Sequence, residues 1–374
     1  MDDHKHQILI VGGGPAGSAC GILLAQAGLH VTICEKASFP RDKICGECIN
    51  PRNWTYFELL GIADQLRFLN LNRINSFRVA NSSGSFVGGQ ISAKPATPFF
   101  SIARSLFDTI LLDQARAVGA EVYEGTPVRE LFWQNGWHVI VGTAGSLRML
   151  RADILIGADG RNSIVARKIS HFYKRLVIGR SRTSTQNNRV GVQWHTNCQP
   201  MIGSSVEMFL FRSGYCGVVN LDGGQANVAL VTTPEVAQLV KTDFPTFLDK
   251  TVFSNQSARE RLQFLNPISQ VLTAAPITPT SHRTSHPCAY LIGDARRTLE
   301  PFTGEGIYFA LQDGVAAAMR IMQKAGQETS RVPFWSNHVY SPVLRRPRLA
   351  EALVSTASRI PSVASFGFKT IFRS

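Results

Sequence analysis

The 374-residue chain lacks any uninterrupted apolar run long enough to cross a bilayer; glycines and polar residues break each candidate. Its opening, MDDHKHQ, lacks the pattern of a secretory signal, which sets the expectation of a cytoplasmic protein. There is no fixed-period repeat and no low-complexity tract, which argues against solenoids and disordered arrays. Cysteines are few and odd in number: Cys20, Cys34, Cys45, Cys48, Cys198, Cys216 and Cys288. In a chain this long they do not make a disulfide framework, and they point to a reducing compartment. No second C-x-x-C matches Cys45-x-x-Cys48, so a zinc site is not expected. Acidic residues are outnumbered, 26 Asp and Glu against 39 Lys and Arg, for a formal net charge of +13. That excess permits a nucleic acid, an anionic membrane surface or an anionic cofactor as partner. The chain carries no helix-turn-helix, zinc-finger or RNA-binding aromatic signature, and nucleic acid is set aside.

What the sequence does have begins with ILIVGGGPAGSAC at residues 8–20. An apolar strand meets Gly12-x-Gly14-x-x-Gly17 and opens a helix of small and apolar residues that Gly28 closes. HVTICEK follows as a second strand, which completes a βαβ unit. Gly12 permits the turn, Gly14 lets a pyrophosphate approach the backbone, and Gly17 lets the helix pack on the strand. The free N–H groups at the helix start hold phosphate. Glu35, eighteen residues beyond Gly17, stands where a carboxylate accepts hydrogen bonds from ribose hydroxyls. A ligand-free strand–turn–helix is the alternative.

Further along, SIARSLFDTILLDQARAVGA reads as an amphipathic helix with Arg104 at its start and Ile102, Leu106, Ile110 and Ala117 near one face. From about 180 to 280 the chain breaks into short β-like pieces, VGVQW, VEMFLF, YCGVVNL and NVALVTT, with Gly and Asn turns. This pattern predicts an antiparallel sheet inserted into an α/β frame. The frame returns with AYLIGDA and a helix from Glu305 to about Lys324. Three features then favour FAD over NAD: Asp159-Gly160 at one strand end, Gly293-Asp294 at another, and Pro301, Gly304, Glu305 and Gly306 before that helix. Asp294 is placed to bind a ribityl hydroxyl, and Gly304 and Gly306 to let an isoalloxazine ring lie on backbone. The helix N-terminus would face the charge that a reduced flavin develops.

GGGPAGSA, GADGRNS and GDARRTLEPFTGEGI together resemble the FAD-dependent oxidoreductases of the para-hydroxybenzoate hydroxylase type. FPRDKICGECINP, residues 39–51, resembles the geranylgeranyl reductase and halogenase branch of that superfamily. The resemblance covers roughly residues 6–325. It implies a discontinuous FAD-binding domain (1–75, 101–170 and 281–330) with Rossmann-like α/β architecture. It also implies a mainly antiparallel substrate domain (76–100 and 171–280) whose floor faces the flavin. It adds Pro15, Ala16, Lys36, Arg41, Val128 and Ile307 to the cofactor-binding set. Three departures narrow the reading. Where prenyl reductases carry Tyr-x-Trp-x-Phe-Pro, this chain continues Tyr215 with Cys216, Gly217, Val218, Val219 and Asn220. The Trp-x-Trp-x-Ile-Pro of tryptophan halogenases is absent, which argues against halogenation. Where the branch usually reads Cys-Gly-Gly, the third residue here is Glu47.

Cys45 and Glu47 are the candidate catalytic residues. A redox pair of Cys45 with Cys48 is one reading; a cysteine lining the flavin pocket is what the resemblance implies. Glu47 acts as an acid if buried and is a loop carboxylate if exposed. His195, after Trp194, either faces the flavin or is structural. No second dinucleotide fold is present, so NADPH or NADH is expected only as a transient donor. The expected function is oxidation of a hydrophobic or aromatic small molecule: hydroxylation first, saturation of an isoprenoid C=C bond as the alternative. A non-catalytic flavin-binding protein is the third reading. The basic segment 331–374, with arginines among phenylalanines, is expected to be a helical tail. It either lies on an anionic membrane or packs on the substrate domain.

Overall fold

Ile8, Leu9, Ile10 and Val11 offer no polar residue for a wet face, so a strand built from them must be covered on both sides. The computed structural model shows this covering. It describes residues 7–174 and 189–326, apart from 83, 92, 264, 278, 279, 285 and 300. The expected tail at 331–374 lies outside the described residues. Gln7–Val11 is the central strand of a five-stranded parallel sheet. Its order is Ala289–Leu291, Ile154–Gly157, Gln7–Val11, His30–Cys34, Glu121–Tyr123. Ile8, Ile10, Val31 and Ile33 face the helices Pro15–Gln26, Arg104–Ala117 and Gly306–Lys324. Leu9, Val11 and Leu155 face the opposite way, onto Val139, Val141 and Val165. Those residues belong to an antiparallel three-stranded sheet (Val128–Trp133, Trp137–Thr143, Ser146–Ala152) and to the helix Ile164–Lys174.

The second and third strands in chain order lie on one side of Gln7–Val11, and the fourth and fifth on the other. The order therefore reverses beside the first strand. In an open parallel sheet, such a reversal leaves a crevice at the carboxyl ends of the two central strands, where ligands bind. Gly12 and Ala158 sit at those two ends.

The expected inserted sheet is present, with seven strands among the described residues. Its order is Leu272–Ala274, Val190–Asn197, Gln225–Thr232, Gly214–Asn220, Ser205–Phe211, Ser76–Ala80, Phe86–Gln90. All pairs are antiparallel except Ser205–Phe211 with Ser76–Ala80. One face turns Trp194, Phe209, Cys216 and Val228 onto Phe247, Leu248 and Ala258. These come from the short helices Phe244–Lys250 and Gln256–Arg261, which a reading of residues 180–280 as strands alone does not contain. A face carrying a buried tryptophan and phenylalanine needs an apolar cover, and these helices supply it.

The helix Arg104–Ala117 corrects one expectation. Leu106 is 42% exposed and Ala117 is also exposed. The buried stripe runs through Arg104, Phe107, Asp108, Ile110, Leu111 and Ala115. Ile102 and Ile110 are buried as expected, and the stripe is shifted only in part, because two charged residues also face inward, where Arg104 and Asp108 satisfy each other.

Candidate active site

The glycine turn shows which of its residues the protein itself requires. Gly12 has φ +106°, and a Cβ there would meet Ala158 O at 2.4 Å. A Cβ on Gly17 would lie 1.9 Å from Gly12 O, so the helix can approach the strand only without one. Gly14 differs. A Cβ there would meet nothing closer than Arg41 Nη2, at 3.6 Å. Gly14 therefore leaves a space that the protein does not fill. The helix that follows opens on Pro15 and buried Ala16, with no side-chain cap on its first N–H groups.

Glu35 closes this end of the crevice. Its buried carboxylate accepts the Gly13 N–H (2.8 Å) and the Ala37 N–H (3.0 Å). Arg41 leans over the turn, 3.1 Å from Asp108 and 4.0 Å from Glu35. Its Nη1 is buried and has no hydrogen-bond partner. A buried guanidinium nitrogen without an acceptor calls for one. Lys36 is exposed at the crevice edge. Lys43 is open to the crevice, yet the surrounding protein and then Arg104, Arg41 and Lys36 hold its ammonium below the usual lysine range, while Asp294 works the other way. Together these cations suit an anionic ligand laid along the turn.

The other walls come from later segments. Asp159 caps the helix Ile164–Lys174, its Oδ2 accepting the Ile164 N–H at 2.7 Å. Its Oδ1 is buried and unpartnered, and burial raises its pKa. Gly160 follows at φ +79°. Gly293 packs on the first helix, where a Cβ would lie 2.9 Å from Ala16 Cβ, and it places half-buried Asp294 at the crevice. Pro301 starts a short turn in which Gly304 has φ +65°. A Cβ on Gly304 or on Gly306 would meet nothing within 4 Å, so both border open space. Buried Ile307 then anchors the helix Gly306–Lys324. Val128 is the one predicted cofactor residue set in the three-stranded sheet, where it pairs with Val141. Gly14, Gly304 and Gly306 form a cradle that added side chains would fill, and Arg41 Nη1 and Asp159 Oδ1 are orphaned polar atoms. The residues present fit FAD.

Glu47 resolves as a buried residue, 2% exposed, at φ +56°. Its Oε1 accepts the Arg104 N–H at 2.8 Å, and its Oε2 lies 2.8 Å from His195 Nε2. The hydrogen bond to Glu47 raises the His195 pKa against the opposing effect of burial, with Glu47 and Asp42 adding their charge. The same loop is tied down at Cys45. The Cys45 N–H donates to Gln193 Oε1 (3.0 Å), and Asn227 Nδ2 donates to the Cys45 carbonyl (3.0 Å). Gln193 and Asn227 also bond each other at 2.9 Å. The seven-stranded sheet thus holds the loop by three side chains, of which only His195 stood out in the sequence. Arg104, 8% exposed, bonds Asp108 through two nitrogens at 2.8 and 2.7 Å. Burial opposes its charge, but Asp108 outweighs burial and keeps the guanidinium more firmly protonated than usual. Asp108 was equally unforeseen; its signal was the i, i+4 spacing from Arg104.

Cys45 and Cys48 are both free thiols, half-buried at the edge of a hollow. Burial raises the pKa of both, so both are held as thiols. The hollow lies between the loop, the Pro301–Glu305 turn and the open face of the seven-stranded sheet. Counted with its mouth it is about 1180 Å³. Phe77, Val79, Met208, Tyr215, Val231 and Phe302 make its wall largely apolar. Glu305, whose pKa burial raises, closes one side and bonds Arg52 at 3.2 Å.

Comparison with known proteins agrees with this geometry. Over 343 residues the chain is 24% identical to conditioned medium factor receptor 1 of Dictyostelium discoideum, covering 86% of this chain and 64% of that protein. It is 26% identical to a menaquinone reductase of Mycolicibacterium smegmatis over 84% of this chain and 76% of that one. Among solved structures, the flavin-dependent halogenase CmlS superposes with a TM-score of 0.73 at 22% identity, over 96% of this chain and 62% of that one. Aklavinone-11 hydroxylase, solved with FAD and aklavinone, superposes with a TM-score of 0.66 at 18% identity, over 87% and 64%. The chain thus spans under two thirds of the length of several proteins it matches. The sequence profile described as "FAD binding domain" matches residues 5–330. Most of the chain falls within that match, and the protein belongs to this family of FAD-dependent oxidoreductases.

Proposed function

We propose that the protein oxidises a hydrophobic or aromatic small molecule, inserting oxygen with NADPH or NADH as electron donor. The observation that carries this reading is the apolar hollow between the Pro301–Glu305 turn and the seven-stranded sheet. When bound, FAD supplies hydride and oxygen chemistry; the protein supplies position and a dry wall. Arg41 and the free N–H groups after Gly14 hold the pyrophosphate, and Glu35 holds the ribose. The turn at Gly304 and Gly306 presents backbone to the ring edge. The apolar wall excludes water from the face on which substrate lies. The loop 45–47, fixed by Gln193, Asn227 and His195, sets the height of that space. The donor visits transiently, and membrane contact through 331–374 remains part of the proposal as the entry route for a lipid-like substrate.

Saturation of a C=C bond by the same site is the second reading, favoured by the similarity to menaquinone reductases. Oxygen separates the two. Hydroxylation consumes one oxygen molecule per product, measured with an oxygen electrode beside product analysis. Product formed at an undiminished rate under anaerobic conditions would overturn the first reading and support the second.

A further inference from the structure

The face of the seven-stranded sheet that borders the hollow has an unusual centre. Gly217 lies mid-strand and pairs directly with Ala229 on the next strand. On the outer sides Gly217 pairs with Met208, and Ala229 with Gln193. The row above runs Leu210, Tyr215, Val231; the row below runs Val206, Val219, Asn227. Side chains therefore stand around a patch two strands wide that has almost none. Gly217 and Ala229 are half-exposed, whereas their chain neighbours Cys216, Val218, Val228 and Leu230 are buried against the sheet's other side.

Nothing in the protein asks for glycine at 217. Its φ is not left-handed, and a Cβ there would meet only Ala229 O, at 3.8 Å, an ordinary contact. Glycine inside a central strand weakens it, because it has no side chain to pack and more backbone entropy to lose. The missing side chain leaves bare, flat peptide at the bottom of the hollow. Neighbouring strands are about 4.8 Å apart, and the rows above and below are separated by about 13 Å of backbone. Once flanking side chains occupy the edges, the recess is about one aromatic ring wide. A flat ring on a flat floor gains dispersion contact over its whole face, while a branched aliphatic chain touches it at a few atoms. Phe302, edge-on to Tyr215 at 5.0 Å, closes the recess at its side.

We propose that the Gly217–Ala229 pair is the specificity-determining floor of the substrate site, and that the substrate presents an aromatic or quinoid ring lying flat on it. This rests on the reading of the hollow as the substrate site. The test is calorimetric titration of the FAD-loaded protein with 2-naphthol and, separately, with farnesol, which needs no turnover. The wild type should bind 2-naphthol more tightly. Gly217→Leu and Ala229→Leu should each weaken 2-naphthol about tenfold or more, the scale of added methylenes in an apolar pocket, with FAD content unchanged. Gly217→Ala should weaken it a fewfold, and it carries the test if the larger variants do not fold. Unchanged 2-naphthol affinity in FAD-loaded variants, or a wild-type preference for farnesol, would overturn the floor and leave the oxidoreductase reading standing. A protein that takes up no FAD would overturn both.

Discussion

Glu47 shows how one residue is held against its own backbone preference. A non-glycine residue at left-handed φ costs about 1–2 kcal/mol. The carboxylate makes two hydrogen bonds, to the Arg104 N–H and to His195, and bonds to charged groups contribute about 1.5–3 kcal/mol each. The bonds win, which is why glutamate can stand where related motifs place glycine. The partnership also carries a pH signature. The folded pKa of His195 is raised, so its stabilisation is full below the unfolded value of about 6.5 and is lost as pH rises through the folded value. The melting temperature of the wild type should therefore fall across that window. His195→Gln, which cannot titrate, should lower the melting temperature at pH 6 and show a flatter profile above it. A parallel decline in both proteins would disprove the pairing. In the sequence Glu47 was visible as a departure from a motif and His195 as a residue that either faces the flavin or is structural; their pairing was not legible, because 148 residues separate them.

At the scale of elements, the first βαβ unit was legible almost throughout, because an apolar run, a glycine signature and a helix stop are all local signals. The glycines nevertheless have different duties, which substitution should separate. Gly17→Ala drives a Cβ into Gly12 O, a backbone atom that cannot swing aside, and should cost several kcal/mol, as overpacking does at its severe end. Gly14→Ala meets no protein atom within 3.6 Å, so it should leave the melting temperature of the FAD-free protein within a few degrees while weakening FAD at least tenfold. Thermal unfolding and flavin titration of both variants check this. The buried face of Arg104–Ala117 was read only in part, with Ile110 inside but Leu106 and Ala117 outside, because hydrophobic periodicity ignores an inward-facing ion pair. The helices over the inserted sheet were missed for a related reason: what they cover is distant in sequence.

At the scale of the whole molecule, the frame is closed by its last segment. Ala289–Leu291 supplies the edge of the parallel sheet, and Gly306–Lys324 lies against Pro15–Gln26 so closely that a Cβ on Gly314 would reach within 2.4 Å of Ala16 O. A chain ended at residue 280 would uncover Ala16, Ala19 and Cys20 of the first helix, against which Gly314 now packs. Such a fragment should show no cooperative melt by circular dichroism and retain no flavin on desalting; a cooperative, yellow fragment would refute this account of the frame. The division into 1–75, 101–170 and 281–330 against 76–100 and 171–280 is our proposal for the units of that frame.

The loop bearing Cys45 and Glu47 belongs by sequence to the first of these units and is hydrogen-bonded to both, to Arg104 on one side and to Gln193, His195 and Asn227 on the other. For recombination between related genes, this makes residues 45–47 and 193–227 a linked set. Chimaeras that inherit the two stretches from different parents will carry mismatched partners across the crevice. Fitness in such libraries should track this co-inheritance more closely than the number of crossovers.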